Sequence, residues 1–354
     1  MEYNSFNLAK IDRVPSTNSN IDIKLEATPQ PHPDFSLEYF LFRFWCGDSA
    51  LREDRYVTRK RLALQAVGVD NGDRDALRLN NQIRAYQQAY ELVLNADNVT
   101  LDLICRINGL VCTQHKESGR IRSSQNFVGK RDNQPVYVPP STGALPDLVD
   151  DLISYINDDS IEAIPRMIVA HSQFLLIHPF QDGNGRTARI IMDAMLYRTY
   201  GASYLSLSLQ RLDNNARYID TIQKFKTNIP KGLGDSYWAE GFSLISSFKD
   251  EANQIIKQAD LEIKGKLAFF DHDKDVLSLC RTLWQRPIIY QQDIPGCEFW
   301  TEGRLAKAVN TLVQAGILSL RKLLKPEGEM ILECPIIFKA WKKIDDMVLG
   351  IQES

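Results

Sequence analysis

Two apolar runs of helical length bracket a short polar insert near the middle of the chain. The first runs from Ile164 to Ile177 and includes Ile168, Val169, Phe174, Leu175 and Leu176; the second holds Ile190, Ile191, Met192, Ala194, Met195 and Leu196. Their periodicity predicts two buried helices. The insert between them, from His178 to Arg189, then reads as a loop ending at the start of the second helix. Upstream, the pattern predicts helices from Leu37 (with Tyr39, Phe40, Phe42, Phe44 and Trp45), from Leu79 to Leu94, over 100–119 (Leu101, Leu103, Ile104, Ile107, Leu110, Val111) and over 145–158 (Leu145, Leu148, Leu152, Ile153, Ile156). Residues 119–129 and 136–141 read as two β-rich pieces joined by the polar turn from Arg131 to Pro135, a hairpin. Residues 1–36 are polar and carry Pro29, Pro31 and Pro33, which predicts an extended arm.

Downstream, residues 200–262 hold further helical material, with a long charged helix from Ser246 to Lys264 as a linker. A helix starts near Val276 and ends near Arg286-Pro287, and another covers Thr301 to Ala315, with Leu305, Val309 and Leu312 facing inward. Gly316-Ile317-Leu318-Ser319-Leu320 and Met330-Ile331-Leu332 flank a turn containing Pro326 and Gly328. Three helices and a hairpin resemble a winged helix-turn-helix. The expected organisation is an arm (1–36), N-terminal helices (37–98), a helical core (99–245), a linker helix (246–265) and a winged-helix-like domain (266–354). A chain of 354 residues is long enough for such an arrangement. The fold class is mainly α.

The insert carries the chemistry. His178, Asp182, Gly183, Asn184, Gly185, Arg186 and Arg189 lie within twelve residues. The first N–H groups of a helix have no internal partner, and the helix dipole places partial positive charge there. Gly183 and Gly185 let the backbone turn and let an anion approach. Arg186 and Arg189 are three apart and share a helix face. This is a polyphosphate site by physics alone. Asp182 is a hard oxygen ligand suited to Mg²⁺ bridged to phosphates, and Mg²⁺ takes only one or two protein carboxylates. His178 has the titration range of a general base. A helix start capped by glycine with surface arginines would explain any one of these residues, but not their density.

The stretch His178-Pro179-Phe180-Gln181-Asp182-Gly183-Asn184-Gly185-Arg186-Thr187-Ala188-Arg189 closely resembles the signature of the Fic family, His-Pro-Phe-x-[Asp/Glu]-Gly-Asn-Gly-Arg-x-x-Arg, at every specified position. The resemblance covers roughly residues 37–230 and implies a Fic helical core with a β-hairpin flap. It implies adenylyltransfer: His178 deprotonates a target hydroxyl and Asp182 holds Mg²⁺. Gly183, Asn184, Gly185 and Arg186 cradle the phosphates of ATP, and Arg189 reaches the γ-phosphate. Relatives of the Doc type carry Lys where this chain has Gly185, and its absence favours transfer of AMP over transfer of phosphate. By the same resemblance the hairpin is a flap that registers the target, with Ile121, Val136, Tyr137 and Val138 as docking residues. Arg122, Ser123 and Gln125 match the Arg-x-Ser-Gln-Asn stretch that recurs there, and Tyr218, with Trp238 behind it, is a candidate for contact with adenosine. His171 recurs in the family without catalytic duty and is assigned to structure.

One branch of the family carries [Ser/Thr]-x-x-x-Glu-[Gly/Asn] on a helix before the core, whose glutamate pairs with the second signature arginine. Ser49 and Glu53 match, and so does Thr58; Asp54 and Arg52 depart from the usual residues. A carboxylate at Arg189 would deny ATP its γ-phosphate contact, so the resemblance implies autoinhibition by Glu53.

The implied partners are ATP with Mg²⁺ and a protein bearing a Ser, Thr or Tyr hydroxyl, which includes this chain itself. Net charge is −3, and from Lys266 onward 12 Lys/Arg balance 12 Asp/Glu, so nothing electrostatic points to nucleic acid. Arg304, Lys307, Arg321, Lys322 and Lys325 leave DNA binding by the tail as the less favoured reading, behind protein contact. Other readings are removal of AMP from a modified protein, and a nucleotide-sensing transcriptional or interaction protein that acts through the tail. No apolar run reaches spanning length, Met1-Glu2-Tyr3-Asn4 does not begin a signal peptide, and Cys46, Cys105, Cys112, Cys280, Cys297 and Cys334 form no CxxC pair. A cytoplasmic protein without a membrane anchor is expected. A homo-oligomer stays open.

Overall fold

The computed structural model describes residues 11, 37–46, 57–69, 72–113, 115–131, 134–201, 215–226, 236–270, 273–290, 302–322 and 330–349. Ser49 and Glu53 lie outside these residues, as do the arm apart from Ile11, residues 202–214, and the turn holding Pro326 and Gly328.

In chain order the helices are α1 (Leu37–Cys46), α2 (Arg59–Ala66), α3 (Arg74–Leu94), α4 (Leu101–Val111), α5 (Leu145–Ile156), α6 (Ala163–Ile177), α7 (Asn184–Tyr200), α8 (Asn215–Gln223), α9 (Ser236–Leu267), α10 (Lys274–Gln285), α11 (Glu302–Gln314) and α12 (Pro335–Leu349). The strands are β1 (Val128–Arg131), β2 (Gln134–Tyr137), β3 (Ile288–Ile289), β4 (Ser319–Lys322) and β5 (Met330–Glu333). The chain divides into two compact units, 1–28 with 82–246, and 29–81 with 247–354. Both are discontinuous, unlike the consecutive segments expected from sequence.

In the first unit α6 is the central helix. It is buried on nearly every face, as a helix that is apolar all round must be. It packs between α5 and α7, and α4 lies against α7. Thr100 caps α4, its hydroxyl accepting from the Leu103 N–H at 3.2 Å. Strands β1 and β2 pair antiparallel with Val128 opposite Tyr137 and Arg131 opposite Gln134. The hairpin is therefore shorter than 119–129 with 136–141. The residues before Val128 are drawn instead into bonds with the 178–181 loop, described below. Helix α9 starts ten residues before the expected Ser246 because Tyr237, Trp238 and Phe242 are buried there.

The second unit is held by a buried ion cluster. Asp345 on α12 accepts from Arg43 Nη1 at 3.0 Å and Arg59 Nε at 3.0 Å. Arg43 and Asp345 are each 2% exposed. The Arg59 guanidinium also lies 3.5 Å from the centre of the Phe40 ring. Thr58 caps α2, accepting from the Arg61 N–H at 3.2 Å. A three-stranded antiparallel sheet of order β3-β5-β4 sits with Val67, Val69, Ile288 and Ile331 in a small apolar core. The cluster explains the discontinuity: α1 and α2 share their core with a helix some three hundred residues later in the chain, which local periodicity does not report.

Candidate active site

The loop between α6 and α7 is built by closing its own polar groups. Helix α6 ends at His178, whose N–H donates to Phe174 O at 2.9 Å and whose backbone is left-handed, with φ 50° and ψ 60°. His178 is the one non-glycine residue at positive φ among the described residues. Phe180 is buried and pins the loop to the core beside Phe174. The Asn184 side chain is spent on the loop: its Oδ1 accepts from the Phe180 N–H at 2.9 Å and its Nδ2 donates to Phe180 O at 2.8 Å. Only the main-chain N–H of Asn184 remains for an anion.

Gly183 stands before α7 with φ 81°, and a Cβ there would meet Asn108 Nδ2 at 2.8 Å and Cys112 Cβ at 3.0 Å. Conformation and space both demand glycine. The first helical bond runs from Thr187 N–H to Gly183 O at 2.9 Å. The N–H groups of Asn184, Gly185 and Arg186 therefore precede it and have no acceptor within the helix. A Cβ on Gly185 would stand 3.4 Å from Arg189 Nη1, so the Arg189 guanidinium lies over this same helix start.

Asp182 faces solvent and is surrounded by donors. Its Oδ1 accepts from the Gly183 N–H at 2.6 Å, and its Oδ2 from Arg186 Nη2 at 3.0 Å and the Cys112 thiol at 3.3 Å. Burial pushes the carboxyl's pKa up, but Arg186, Cys112 and the Gly183 N–H outweigh it and hold the group below the ordinary carboxylate range. Burial, with the same carboxylate beside it, pushes the Cys112 thiol up to about 11. Arg186 is anchored at its other nitrogen by Val111 O at 2.6 Å.

The His178 ring sits with Nδ1 3.3 Å from Leu175 O. A carbonyl only accepts, so Nδ1 carries the proton in the neutral ring and Nε2 is left with its lone pair. Burial, helped by the Arg122 charge, pushes the His178 pKa down to about 4, against the Leu175 carbonyl and Asp182, which favour the protonated ring. Behind it His171 is 2% exposed and its Nε2 is 2.8 Å from the Tyr218 hydroxyl. Burial and then the Arg189 charge push the His171 pKa down to about 3.

The structure thus gathers His178, Asp182, Gly183, Asn184, Gly185, Arg186 and Arg189 on one loop and helix start. It places Tyr218 against His171 and Tyr237. Trp238 is 1% exposed under Tyr237 and His171, so it offers no face to a purine. Of the docking candidates, Tyr137 is buried, its hydroxyl donating to Leu176 O at 2.8 Å, and Val138 is half-buried. Ile121 is half-buried and precedes the strands, and the Val136 side chain lies outside the described residues. Asn108 and Cys112 enter although sequence reasoning did not assign them to the site, and Arg122, named above only for its match in the flap stretch, bonds to the His178 carbonyl. Asn108 is 1% exposed; its amide donates to Asp182 O at 2.9 Å and Thr187 Oγ1 at 3.3 Å and accepts from the Gly119 N–H at 2.9 Å. An amide on the apolar face formed by Ile104, Ile107 and Val111 was the available signal.

A ring nitrogen free to take a proton, an ionised carboxylate and a helix start open to anions make a site that can handle polyphosphate. Residues 98–196 match the model of the Fic/DOC family. The chain is 33% identical over 108 residues to protein adenylyltransferase fic-1 of Caenorhabditis elegans, covering 29% of this chain and 20% of that protein. It is 29% identical over 184 residues to protein adenylyltransferase Fic of Aedes aegypti, covering 49% of this chain and 33% of that protein. The chain thus spans a fifth to a third of the length of these relatives. A solved Fic-domain signalling protein from Bacteroides thetaiotaomicron aligns at TM-score 0.44 and 16% identity, over 62% of this chain and 85% of that one.

Proposed function

We propose that this chain is a protein adenylyltransferase that moves AMP from ATP to a Ser, Thr or Tyr hydroxyl of a target protein or of itself. The observation that carries the reading is the loop itself: His178 Nε2 left as acceptor beside the open N–H groups of Asn184, Gly185 and Arg186. The similarity to proteins named as adenylyltransferases supports it.

In this reading the helix start and Arg186 hold the phosphates, and Arg189 takes the γ-phosphate. Arg186 must then trade its contact with Asp182 for phosphate oxygen. His178 Nε2 accepts the hydroxyl proton as that oxygen bonds to the α-phosphorus. The bond from the α-phosphorus to the bridging oxygen breaks, and pyrophosphate leaves with the electron pair. The chemistry is mostly placement and charge neutralisation. Asp182 fits Mg²⁺, because it is ionised, half-exposed and not enclosed by other carboxylates. Among the described residues no group of three or more His, Cys, Asp or Glu could hold a metal, which suits an ion shared with the nucleotide's phosphates. Mg²⁺ there would neutralise charge on the polyphosphate. The neutral His178 ring is the form needed, and the anionic nucleotide will raise its proton affinity toward the working range.

Autoinhibition by Glu53 against Arg189 is part of the proposal and rests on the Ser49 and Glu53 pattern alone. The flap role of the β1-β2 hairpin, with Ile121, Val136, Tyr137 and Val138 near the target, is also part of the proposal and rests on the family resemblance and the β1-β2 pairing. The reading of residues 266–354 as a winged helix rests on α10, α11, α12 and the β3-β5-β4 sheet. Three of its basic residues are paired locally: Arg304 Nε is 2.8 Å from Asp275 Oδ2, Lys307 is 3.4 Å from Asp273, and Arg321 is 3.4 Å from Glu333. That favours protein contact over DNA binding for the tail. The test is AMP incorporation from α-labelled ATP with Mg²⁺ by wild type, Glu53→Gly and Glu53→Gly/His178→Ala. Labelling should rise in the first variant and vanish in the second. No labelling by any of them, with folded protein that binds ATP, would refute transfer and favour the sensing reading.

A further inference from the structure

Arg122 is 2% exposed, yet among the described residues its hydrogen bonds go to main-chain carbonyls and not to a carboxylate. Its Nε donates to His178 O at 2.9 Å, Nη1 to Ser124 O at 3.3 Å, and Nη2 to Pro140 O. Its own N–H donates to Pro179 O at 2.9 Å. A buried cation is costly, and burial pulls the pKa of this one down. The three acceptors are informative. Ser124 lies shortly before β1 and Pro140 shortly after β2, so the guanidinium spans both ends of the hairpin. The third acceptor is the carbonyl of the residue whose backbone is left-handed.

Among the described residues the ring of His178 has one side-chain hydrogen bond, the long one to Leu175 O. Its direction therefore depends on the peptide planes on either side of its Cα. Arg122 fixes the peptide plane that follows His178 through His178 O, and the next plane along through Pro179 O. Two more contacts tie the same loop to the segment before β1: Asn126 Nδ2 donates to Phe180 O at 3.0 Å, and Gln181 Nε2 to Ser124 Oγ at 2.7 Å.

We propose that Arg122 is a positioning residue: it aims His178 and ties its backbone to both ends of the β1-β2 hairpin, so that a target docked on the hairpin acts on the base. This rests on His178 being the base. A mere staple for the hairpin would alter stability and nothing else. A positioning residue alters the turnover step and the His178 ring.

The test uses the full chain in a Glu53→Gly background, with Arg122→Met and Arg122→Lys. AMP-transfer rates at saturating ATP, ATP affinity and the His178 imidazole resonances against pH are measured for each. The charged groups acting on that ring are Arg122 and Asp182. Arg122→Met should lose at least tenfold in turnover with ATP affinity within twofold of the parent, and the His178 titration should move upward. Arg122→Lys should recover the titration, because the charge returns, but not the turnover, because one ammonium does not span three carbonyls. Parental turnover in both variants, or a loss lying wholly in ATP affinity, would overturn the proposal. If Arg122→Met does not fold, Arg122→Lys decides: parental turnover overturns the proposal. If the parent transfers no AMP, the transferase reading fails by itself. The ring resonances still test Arg122, and His178 signals unchanged in Arg122→Met would overturn its role.

Discussion

Buried histidines should make the first unit sensitive to mild acid. His171 has a pKa of about 3 in the folded chain against an ordinary 6.5. The unfolded chain therefore binds the proton first, and stability is lost as pH falls from 6.5 toward 3. Between pH 7 and pH 5 the unfolded ring becomes almost fully protonated while the folded ring stays neutral. From those two values the loss is about 2 kcal/mol. His178, at about 4 when folded, contributes about 2 kcal/mol more over the same window. The carboxylates with lowered pKa, Asp73, Asp182 and Asp273, titrate below that window and do not confuse it. The assay is urea unfolding at pH 7 and pH 5, followed by tryptophan fluorescence, to which Trp238, with its ring centre 6.2 Å from that of His171, contributes. His171→Gln removes the titration and keeps a hydrogen-bonding group for Tyr218. The variant should be weaker at pH 7, yet lose about 2 kcal/mol less than wild type on going to pH 5. An identical pH 7-to-5 loss in variant and wild type would refute the reasoning.

Gly183→Ala should cost roughly 1–3 kcal/mol and most of the transfer activity, because a left-handed residue gains a Cβ against Asn108 and Cys112; thermal melts and α-label incorporation measure both. Asp182→Asn should leave folding nearly unchanged but raise the Mg²⁺ concentration needed for half-maximal labelling at least tenfold, a metal titration that an unchanged midpoint would contradict. Asp345→Ala removes the acceptor of two buried guanidinium groups and should destabilise the second unit by about 3–5 kcal/mol, read in denaturant unfolding followed by the far-ultraviolet signal.

The helices α6 and α7 were legible because their faces are continuous apolar runs and the insert between them breaks period and polarity together. The loop residues were legible for a chemical reason: two glycines and two arginines at a helix start have few other uses. What was not legible was the support. Asn108 lies about seventy residues before the loop it holds, and Arg122 about fifty-six before the carbonyl it binds. Neither spacing has a period. The hairpin's limits were misjudged because residues 121–126 are extended in pattern but bond to the loop through Arg122, Ser124 and Asn126 rather than to a strand. The share of Asn184 in the site changed for a similar reason, since composition does not say whether an amide faces a ligand or its own backbone.

The left-handed backbone at His178 carries a cost for anyone breeding this protein. Glycine or asparagine would sit in that conformation with less strain than histidine does. On the proposed reading, a library sorted for heat resistance alone would favour losing the ring on which transfer depends. Any search for hardier forms has to be run with turnover as a second gate.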